Sequence, residues 1–215
     1  MKAELHCPLC ASDENSDYHR DDRRPYRQCG TCDLVFVPPT FHLDAAREKA
    51  EYDLHENNVD DPGYRRFLSR LATPMLQHLT PGSSGLDFGC GPGPALAAML
   101  GEAGHCVTLY DIYYHPETAP LGDTYDFVCA TEVVEHLAQP GMELSRLWHC
   151  LRPGGVLGVM TKLVRNPVAF ATWHYKSDPT HICFFSRATW RWWAERHGGE
   201  LEILGSDVIL LHKPG

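Results

Sequence analysis

The residues best suited to chemistry begin with a glycine-rich turn after a short apolar run. Gly89, Gly91 and Gly93 alternate directly after Leu86 and Phe88. Glycine is favoured where the backbone must adopt a positive φ or approach a ligand closely. A helix-forming run follows, so free N–H groups at a helix start are expected beside the turn. The spacing is G-x-G-x-G rather than the dinucleotide fingerprint, and no P-loop lysine follows, which favours an adenosine-containing ligand without a phosphate chain.

An acidic residue lies where ribose recognition would need it. Asp111 ends the apolar run 105–110 and stands 22 positions after Gly89. A carboxylate about 20 positions beyond such a turn can accept hydrogen bonds from ribose hydroxyls. The alternative is a strand-end aspartate that only caps a turn. Together with the glycine turn, Asp111 favours ribose binding.

A cluster of acids and imidazoles is the candidate catalytic group. Glu132, Glu135 and His136 are closely spaced after an apolar run, and His181 occurs further along the chain. Two carboxylates and two imidazoles are a donor set that suits a divalent metal with open coordination positions. The alternative is that they cap and pack a helix. Without a metal, His136 or His181 would be the general base, because unperturbed imidazole titrates near neutral pH.

Two stretches of aromatic and polar side chains predict the walls of a substrate pocket. Trp173, Tyr175 and Asp178 lie in an irregular stretch late in the chain, where aromatic rings can form an apolar wall. Tyr52 and His55 precede the glycine turn and are expected to form a lid over the ligand. Core packing under a long loop and an ordinary surface helix are the respective alternatives.

Four cysteines in two CxxC pairs predict a metal site near the start of the chain. Cys7 and Cys10 are separated from Cys29 and Cys32 by 18 residues, a spacing typical of four-cysteine zinc sites. The segment between the pairs has few apolar residues, so a metal would supply stability that a core cannot. Four thiolates fill a tetrahedron, which indicates a structural role. A redox pair or a chance spacing is the alternative.

Composition excludes several classes of protein. The chain has 215 residues, 43% of them hydrophobic, which is enough for one domain with a small appendage. Its net charge is −9. The negative charge argues against a broad nucleic-acid surface, although a local basic patch stays open. No apolar run approaches the roughly 18 residues of a membrane span, and no signal peptide is evident. We therefore expect a cytoplasmic location, where thiols stay reduced.

The later part of the chain alternates between apolar strand-like runs and helical segments. Strands are expected at 85–89, 105–110, 127–130 and 156–160, and a terminal hairpin at 200–212. Such alternation with a closing hairpin is typical of an α/β, doubly wound fold.

Four motifs in this order resemble those of class I S-adenosylmethionine-dependent methyltransferases. They are the run 86–93, Asp111, the segment 125–137 and the turn 151–155. The resemblance covers about residues 64–213. It implies a Rossmann-like, mostly parallel sheet of seven strands with an antiparallel last strand, and bound S-adenosylmethionine. The usual third strand, with its acidic adenine contact, is not evident after Asp111.

The resemblance also implies which residues surround the cofactor. The glycines would line its methionine and ribose side, Asp111 would take the ribose hydroxyls, and Ile112 and Tyr113 would flank adenine. The complete expected set is Asp87, Gly89, Cys90, Gly91, Gly93, Asp111, Ile112, Thr131 and Glu132. The chain would then comprise a four-cysteine module (1–40), a helical linker or lid (41–82) and a methyltransferase domain (83–215).

The acceptor side carries two further resemblances. The segment 132–136 with the distal His181 is similar to the metal-binding arrangement of small-RNA 2′-O-methyltransferases and to a segment of ubiquinone-type catechol O-methyltransferases. A metal there would lower the pKa of a chelated hydroxyl, although many metal-free relatives carry a similar Glu-His-Leu.

The first hypothesis for function is O-methylation of a small molecule by an enzyme with a structural zinc. N-terminal zinc modules also occur in sugar C-methyltransferases, which the chain partly resembles. An RNA or protein acceptor recognised by the zinc module is one alternative. A non-catalytic S-adenosylmethionine-binding scaffold is another.

Overall fold

The computed structural model describes residues 5–54 and 58–215. The strands are β1 Asn15–Arg20, β2 Pro25–Cys29, β3 Val35–Phe36, β4 Ser84–Phe88, β5 Cys106–Tyr110, β6 Tyr125–Thr131, β7 Leu151–Met160, β8 Cys183–Phe184, β9 Glu200–Leu204 and β10 Val208–His212. The α-helices are α1 Ala45–Tyr52, α2 Pro62–His78, α3 Ala95–Glu102, α4 Pro140–His149, α5 Pro167–Ala171 and α6 Arg187–His197. Among these helices none is long and apolar enough to cross a membrane.

The larger sheet confirms the expected α/β doubly wound fold. Its strand order is β5-β4-β6-β7-β10-β9. Strand β4 pairs in parallel with β5 and β6, and β6 pairs in parallel with β7. The last strand, β10, is antiparallel to both of its neighbours, β7 and β9. The antiparallel last strand was therefore predicted correctly.

The number of strands in this sheet differs from the prediction. Within the described residues the sheet has six strands instead of seven, because no strand forms in the connection between β5 and β6. That connection contains an isolated bridge between Asp111 and His115 and a short 3-10 helix, Ala119–Gly122. Pro116 and Pro120 lie in it, and proline cannot donate a hydrogen bond to a strand ladder.

Strand β6 shows how this sheet separates two apolar layers. Phe127 and Cys129 face the layer that contains α2 and α3, whereas Val128 and Ala130 face the layer that contains α4 and α6. Successive residues of a strand point to opposite faces, which produces this alternation. All four residues are fully buried, as expected of a central parallel strand covered by helices on both sides.

The smaller sheet joins the start of the chain to its later part. Its strand order is β1-β2-β3-β8, and β3 pairs antiparallel with β8, Val35 opposite Phe184 and Phe36 opposite Cys183. A strand from the expected methyltransferase domain thus completes the sheet of the N-terminal module. The division of the chain at residues 40 and 82 stays a prediction.

Candidate active site and cysteine cluster

A cavity of about 710 Å³ lies at the carboxyl ends of β4, β5 and β6. Its lining includes the residues that directly follow these strands, Gly89, Asp111 and Glu132. Ligands of open parallel sheets bind at this edge, and cavities of roughly 300–1,000 Å³ suit cofactor-sized ligands. The fold therefore places the glycine turn, Asp111 and the acidic cluster around one space.

Thirteen of the sixteen residues expected around cofactor and acceptor border this cavity. They are Tyr52, Asp87, Gly89, Cys90, Gly91, Asp111, Ile112, Thr131, Glu132, His136, Tyr175, Asp178 and His181. Two expected residues, Gly93 and Trp173, are described by the structure but do not border the cavity. His55 lies outside the described residues. The Trp173 ring instead packs behind Tyr175, with the ring centroids 5.0 Å apart, so it supports the wall of the cavity.

The glycine turn requires glycine at two positions. Gly89 has φ +73° and Gly91 has φ +65°, the left-handed region that other residues rarely adopt. A Cβ added to Gly89 would also lie 2.4 Å from a methyl carbon of Val133. The close approach of this turn to the segment after β6 leaves no room for a side chain.

Asp111 organises the backbone around the turn. Its Oδ2 accepts a hydrogen bond from the Gly91 N–H at 3.0 Å. Its Oδ1 accepts from the N–H groups of Tyr113 and Tyr114 at 2.8 and 3.1 Å. The carboxylate thus caps a turn and also borders the cavity. The turn-capping role considered from the sequence is therefore observed, and ribose binding by Asp111 stays a prediction.

Asp87 supplies an unpartnered acceptor on the wall of the cavity. The residue is 2% exposed, and its Oδ1 has no hydrogen-bond partner among the described residues. Burial, with a smaller contribution from Asp111, raises the pKa of Asp87 to about 7. A buried acceptor without a donor is costly, so a ligand with a cationic or N–H group would be stabilised beside it.

The opposite wall carries a buried hydrogen-bonded group of two glutamates and a tyrosine. The Tyr175 hydroxyl donates to Glu135 Oε1 at 2.5 Å and lies 3.3 Å from Glu132 Oε2. Glu135 is fully buried, and burial together with the nearby Glu132 raises its pKa to about 8. Glu132 has φ +52°, a conformation that costs energy in a non-glycine residue and is common at functional sites.

Two imidazoles lie beside this group. His181 Nδ1 is 2.7 Å from the Tyr175 carbonyl oxygen, and His136 Nδ1 is 3.3 Å from the Thr180 carbonyl oxygen. The two ring centroids are 4.6 Å apart. Because the His181 Nδ1–H donates to a carbonyl, Nε2 is the basic atom of the His181 ring. Burial lowers the pKa of His181, which favours the neutral ring.

Asp178 completes the acceptor side as an ionised carboxylate. Its Oδ2 lies 3.8 Å from His181 Nε2. Burial opposes ionisation, but hydrogen bonds from Thr180 hold the pKa of Asp178 below its ordinary value. A carboxylate beside His181 would stabilise an imidazolium formed there.

Helix α1 adds one residue that the sequence interpretation missed, Glu48. The Tyr113 hydroxyl donates to Glu48 Oε2 at 2.6 Å, and the Tyr52 hydroxyl donates to Glu48 Oε1 at 3.0 Å. The Tyr52 ring lies 5.3 Å from the His136 ring. Glu48 and Tyr52 are four residues apart, so they share one helix face. That spacing was the available signal for Glu48.

The four cysteines form a compact group with two similar turns. Their Sγ atoms lie within 4.8 Å of one another. Ala11 and Asp33 each follow a CxxC pair, and both have a positive φ, 61° and 64°. Their N–H groups donate to the carbonyl oxygens of Cys7 and Cys29 at 2.9 and 3.1 Å. Thiolates about 2.3 Å from a central Zn²⁺ would fit this grouping.

Residues 60–202 match the sequence profile of a methyltransferase domain family. The chain belongs to this family. This match agrees with the methyltransferase resemblance of the four motifs and with the mostly parallel sheet.

A curated relative and two solved structures are similar to this chain. The chain is 32% identical over 171 residues to the tRNA U34 carboxymethyltransferase of Hahella chejuensis, and the alignment covers 65% of the chain. The chain spans about half (52%) of that relative's length.

One solved structure is the magnesium protoporphyrin IX methyltransferase of Synechocystis PCC 6803 with bound S-adenosylhomocysteine. It has a TM-score of 0.53 and 18% identity, and the match covers 70% of the present chain and 83% of the Synechocystis chain. The 1,6-didemethyltoxoflavin-N1-methyltransferase of Burkholderia thailandensis has a TM-score of 0.51 and 18% identity, covering 94% of this chain and 100% of its own. These two likenesses show the fold alone.

Replacing Asp111 with alanine should weaken S-adenosylmethionine binding by about 1–3 kcal/mol, the cost of leaving polar partners without their charged acceptor. Isothermal titration calorimetry measures the change. Asp123, an exposed aspartate in the same connection, provides the control Asp123→Ala, which should bind as tightly as the wild type. Equal affinity of both variants would remove Asp111 from the cofactor site.

Glu135→Gln should flatten the pH dependence of stability in protein without added divalent cations. The pKa of Glu135 is raised from 4.5 to about 8 in the folded state, so folded protein holds a proton that unfolded chains release in this window. The free energy of unfolding therefore falls as pH rises from about 4.5 to about 8. Glutamine carries no such proton, so the variant should lose less stability over that range.

Urea unfolding at several pH values measures this difference. Glu117→Gln, at an exposed position, is the matched control and should follow the wild-type curve. Parallel curves for wild type and Glu135→Gln would show that Glu135 is already ionised in the folded protein.

Proposed function

We propose that this methyltransferase transfers a methyl group to an oxygen of a small-molecule acceptor, with His181 as general base. The observation that carries the proposal is the short contact of His181 Nδ1 with the Tyr175 carbonyl oxygen, 2.7 Å. With Nδ1–H donated to that carbonyl, Nε2 is the basic atom of a largely buried imidazole that lines the cavity.

Bound S-adenosylmethionine would supply an electrophilic sulfonium methyl group to the acceptor oxygen, with the electron pair of the broken C–S bond staying on sulfur. The proton of the acceptor hydroxyl passes to His181 Nε2. Asp178, 3.8 Å from that nitrogen, stabilises the imidazolium. The remaining contribution of the protein is to hold the oxygen in line with the methyl group.

The cofactor-side residues support binding by a different set of interactions. We assign the glycine turn and Asp111 to the ribose and methionine portions of the cofactor. The unpartnered Oδ1 of Asp87 suits the amino group of that methionine portion. Tyr52 and Tyr113, tied together through Glu48, would exclude water when the cavity is filled.

A second form of the proposal uses a divalent metal on the acceptor side. Glu135, His136 and His181 each offer a ligand atom, and these atoms lie within 4.8 Å of one another. A metal there would lower the pKa of a bound acceptor hydroxyl. The buried Glu135 Oε2, which has no partner among the described residues, favours this form. The expected fourth ligand, Glu132, contacts the Tyr175 hydroxyl instead.

An RNA acceptor is the second candidate function. It is favoured by the 32% identity to a tRNA U34 carboxymethyltransferase. The net charge of −9 weighs against it, because RNA binding relies on clustered cationic side chains. A non-catalytic scaffold is disfavoured by the imidazoles and carboxylates that converge on the cavity.

We propose that the four cysteines hold a structural zinc ion. Four sulfur donors fill the tetrahedral coordination shell, so this metal would have no open position for catalysis. The similar turns around Cys7–Cys10 and Cys29–Cys32 are the support for this assignment. A metal on the acceptor side would be a separate, exchangeable ion.

His181→Ala should lower kcat by about 10²–10⁴-fold while S-adenosylmethionine affinity stays within a few-fold, because a general base acts on the acceptor. Transfer of labelled methyl groups to a panel of hydroxylated small molecules and to bulk RNA measures the effect. His149→Ala, at an exposed position on α4, is the control.

The outcomes separate the candidates. Absence of S-adenosylmethionine binding by wild-type protein would contradict cofactor use, and transfer to RNA alone would replace the small-molecule proposal. Since burial lowers the pKa of His181, the rate should rise with pH and reach half of its plateau value below pH 6.5, the ordinary midpoint of imidazole. A rate that disappears with EDTA and returns with Mn²⁺ would favour the metal form.

Cys29→Ser should lose bound zinc and destabilise the N-terminal module. Metal analysis of purified protein should find about one zinc per chain in the wild type and in Cys106→Ser, a variant of an exposed cysteine outside the cluster. Cofactor affinity of Cys29→Ser should stay within a few-fold, because no cofactor-side residue lies in the module. Wild-type protein without zinc would contradict the assignment.

A further inference from the structure

A second cleft of about 350 Å³ lies beside the cavity and is lined by basic side chains. Arg23, Arg24, Arg47 and His42 line it, and its described lining contains no aspartate or glutamate. The whole chain has 28 acidic and 19 lysine or arginine residues. The positive charge of three arginines around one small cleft is therefore opposite in sign to the net charge of the protein.

Within residues 5–54 and 58–215, the guanidinium groups of this arginine cleft have no carboxylate partner. Arg24, 6% exposed, donates to the carbonyl oxygens of Lys176, Asp178 and Pro179. Arg23 donates to the Ser177 carbonyl oxygen at 2.8 Å. Among the described residues, Arg23, Arg24 and Arg47 form no ion pair. Five other arginines each pair with a carboxylate: Arg27, Arg65, Arg70, Arg146 and Arg152.

Asp21, a carboxylate beside Arg23 and Arg24, is already committed to other partners. Asp21 Oδ2 accepts from Lys176 Nζ at 3.0 Å and from the Tyr26 hydroxyl at 2.9 Å. Asp21 Oδ1 accepts from the backbone N–H groups of Arg23 and Arg24. The carboxylate therefore balances Lys176 and the backbone, and the positive charge of the arginines stays available.

The arginine cleft and the methyl-transfer cavity share two walls. Arg47 lines the cleft while the next residue, Glu48, lines the cavity. Asp178 lines the cavity while the next residue, Pro179, lines the cleft. The Asp178 carbonyl oxygen accepts from Arg24, whereas its carboxylate lies 3.8 Å from His181 Nε2. A small molecule whose hydroxyl reaches His181 would have to extend past Asp178 and Pro179 to bring a second group to the arginines.

We propose that the arginine cleft binds a phosphate group of the methyl acceptor, which makes the acceptor a phosphorylated small molecule. This inference rests on the proposed function, because it places the acceptor hydroxyl at His181. Arginine forks match phosphate oxygens in paired, charge-assisted hydrogen bonds. The neighbouring loop carbonyls hold Arg24 in place and reduce the conformational entropy lost when the anion binds.

Phenyl phosphate is the probe, measured by isothermal titration calorimetry, and phenol is its match without the phosphate. Wild-type protein should bind phenyl phosphate and not phenol. The double variant Arg23→Gln/Arg47→Gln should bind it at least about tenfold more weakly, because two charged donors are lost. Arg20→Gln, an exposed arginine of β1 outside the cleft, should bind like the wild type.

Titration of the same proteins with S-adenosylmethionine separates this inference from the proposed function. Unchanged cofactor affinity in the double variant shows that it is folded. If S-adenosylmethionine binds but phenyl phosphate does not, or if the double variant binds phenyl phosphate like the wild type, the arginine cleft is not a phosphate site and the methyltransferase proposal stands.

A further arm tests the rival anion. A single-stranded RNA oligonucleotide should not compete with phenyl phosphate at 150 mM salt. Tight competition by RNA that is lost in the double variant would assign the arginine cleft to a nucleic-acid backbone and overturn the small-molecule form of the inference.

Discussion

The buried guanidinium of Arg24 determines where the acceptor side of the cavity lies. Its hydrogen bonds to the carbonyl oxygens of Lys176, Asp178 and Pro179 hold the loop between α5 and β8. The same loop supplies the Tyr175 carbonyl that orients His181. A guanidinium deprived of such acceptors would be a costly buried charge, so the loop and the N-terminal hairpin that carries Arg24 must stay together.

This dependence gives the N-terminal module a role in the active site without placing it at the reacting atoms. The hairpin between the two cysteine pairs carries Arg24, and β3 of the module pairs with β8, two residues after His181. A hairpin with few apolar side chains needs another source of rigidity. The proposed zinc would supply it and would thereby fix the loop 176–181 from outside the cavity.

The sequence was most informative where chemistry imposes spacing. The glycine turn, Asp111 and the paired cysteines have patterns that few other functions need, and the strand alternation predicted the parallel sheet. The missing strand was signalled by prolines between β5 and β6, although the resemblance favoured seven strands.

What the sequence did not predict are contacts between distant segments. Glu48 meets Tyr113 across 65 residues, and Arg24 meets the loop at Lys176 across 152 residues. Such pairs depend on how helices and loops pack, for which a single sequence carries no periodic signal.

The two forms of the proposed function differ at another such contact, the Tyr175 hydroxyl between Glu132 and Glu135. A metal that used both carboxylates would have to displace this hydroxyl, whereas a base mechanism uses the hydrogen-bonded group as it stands. Because burial already favours protonated Glu135, a cation must offset the free energy of its ionisation before it can bind there.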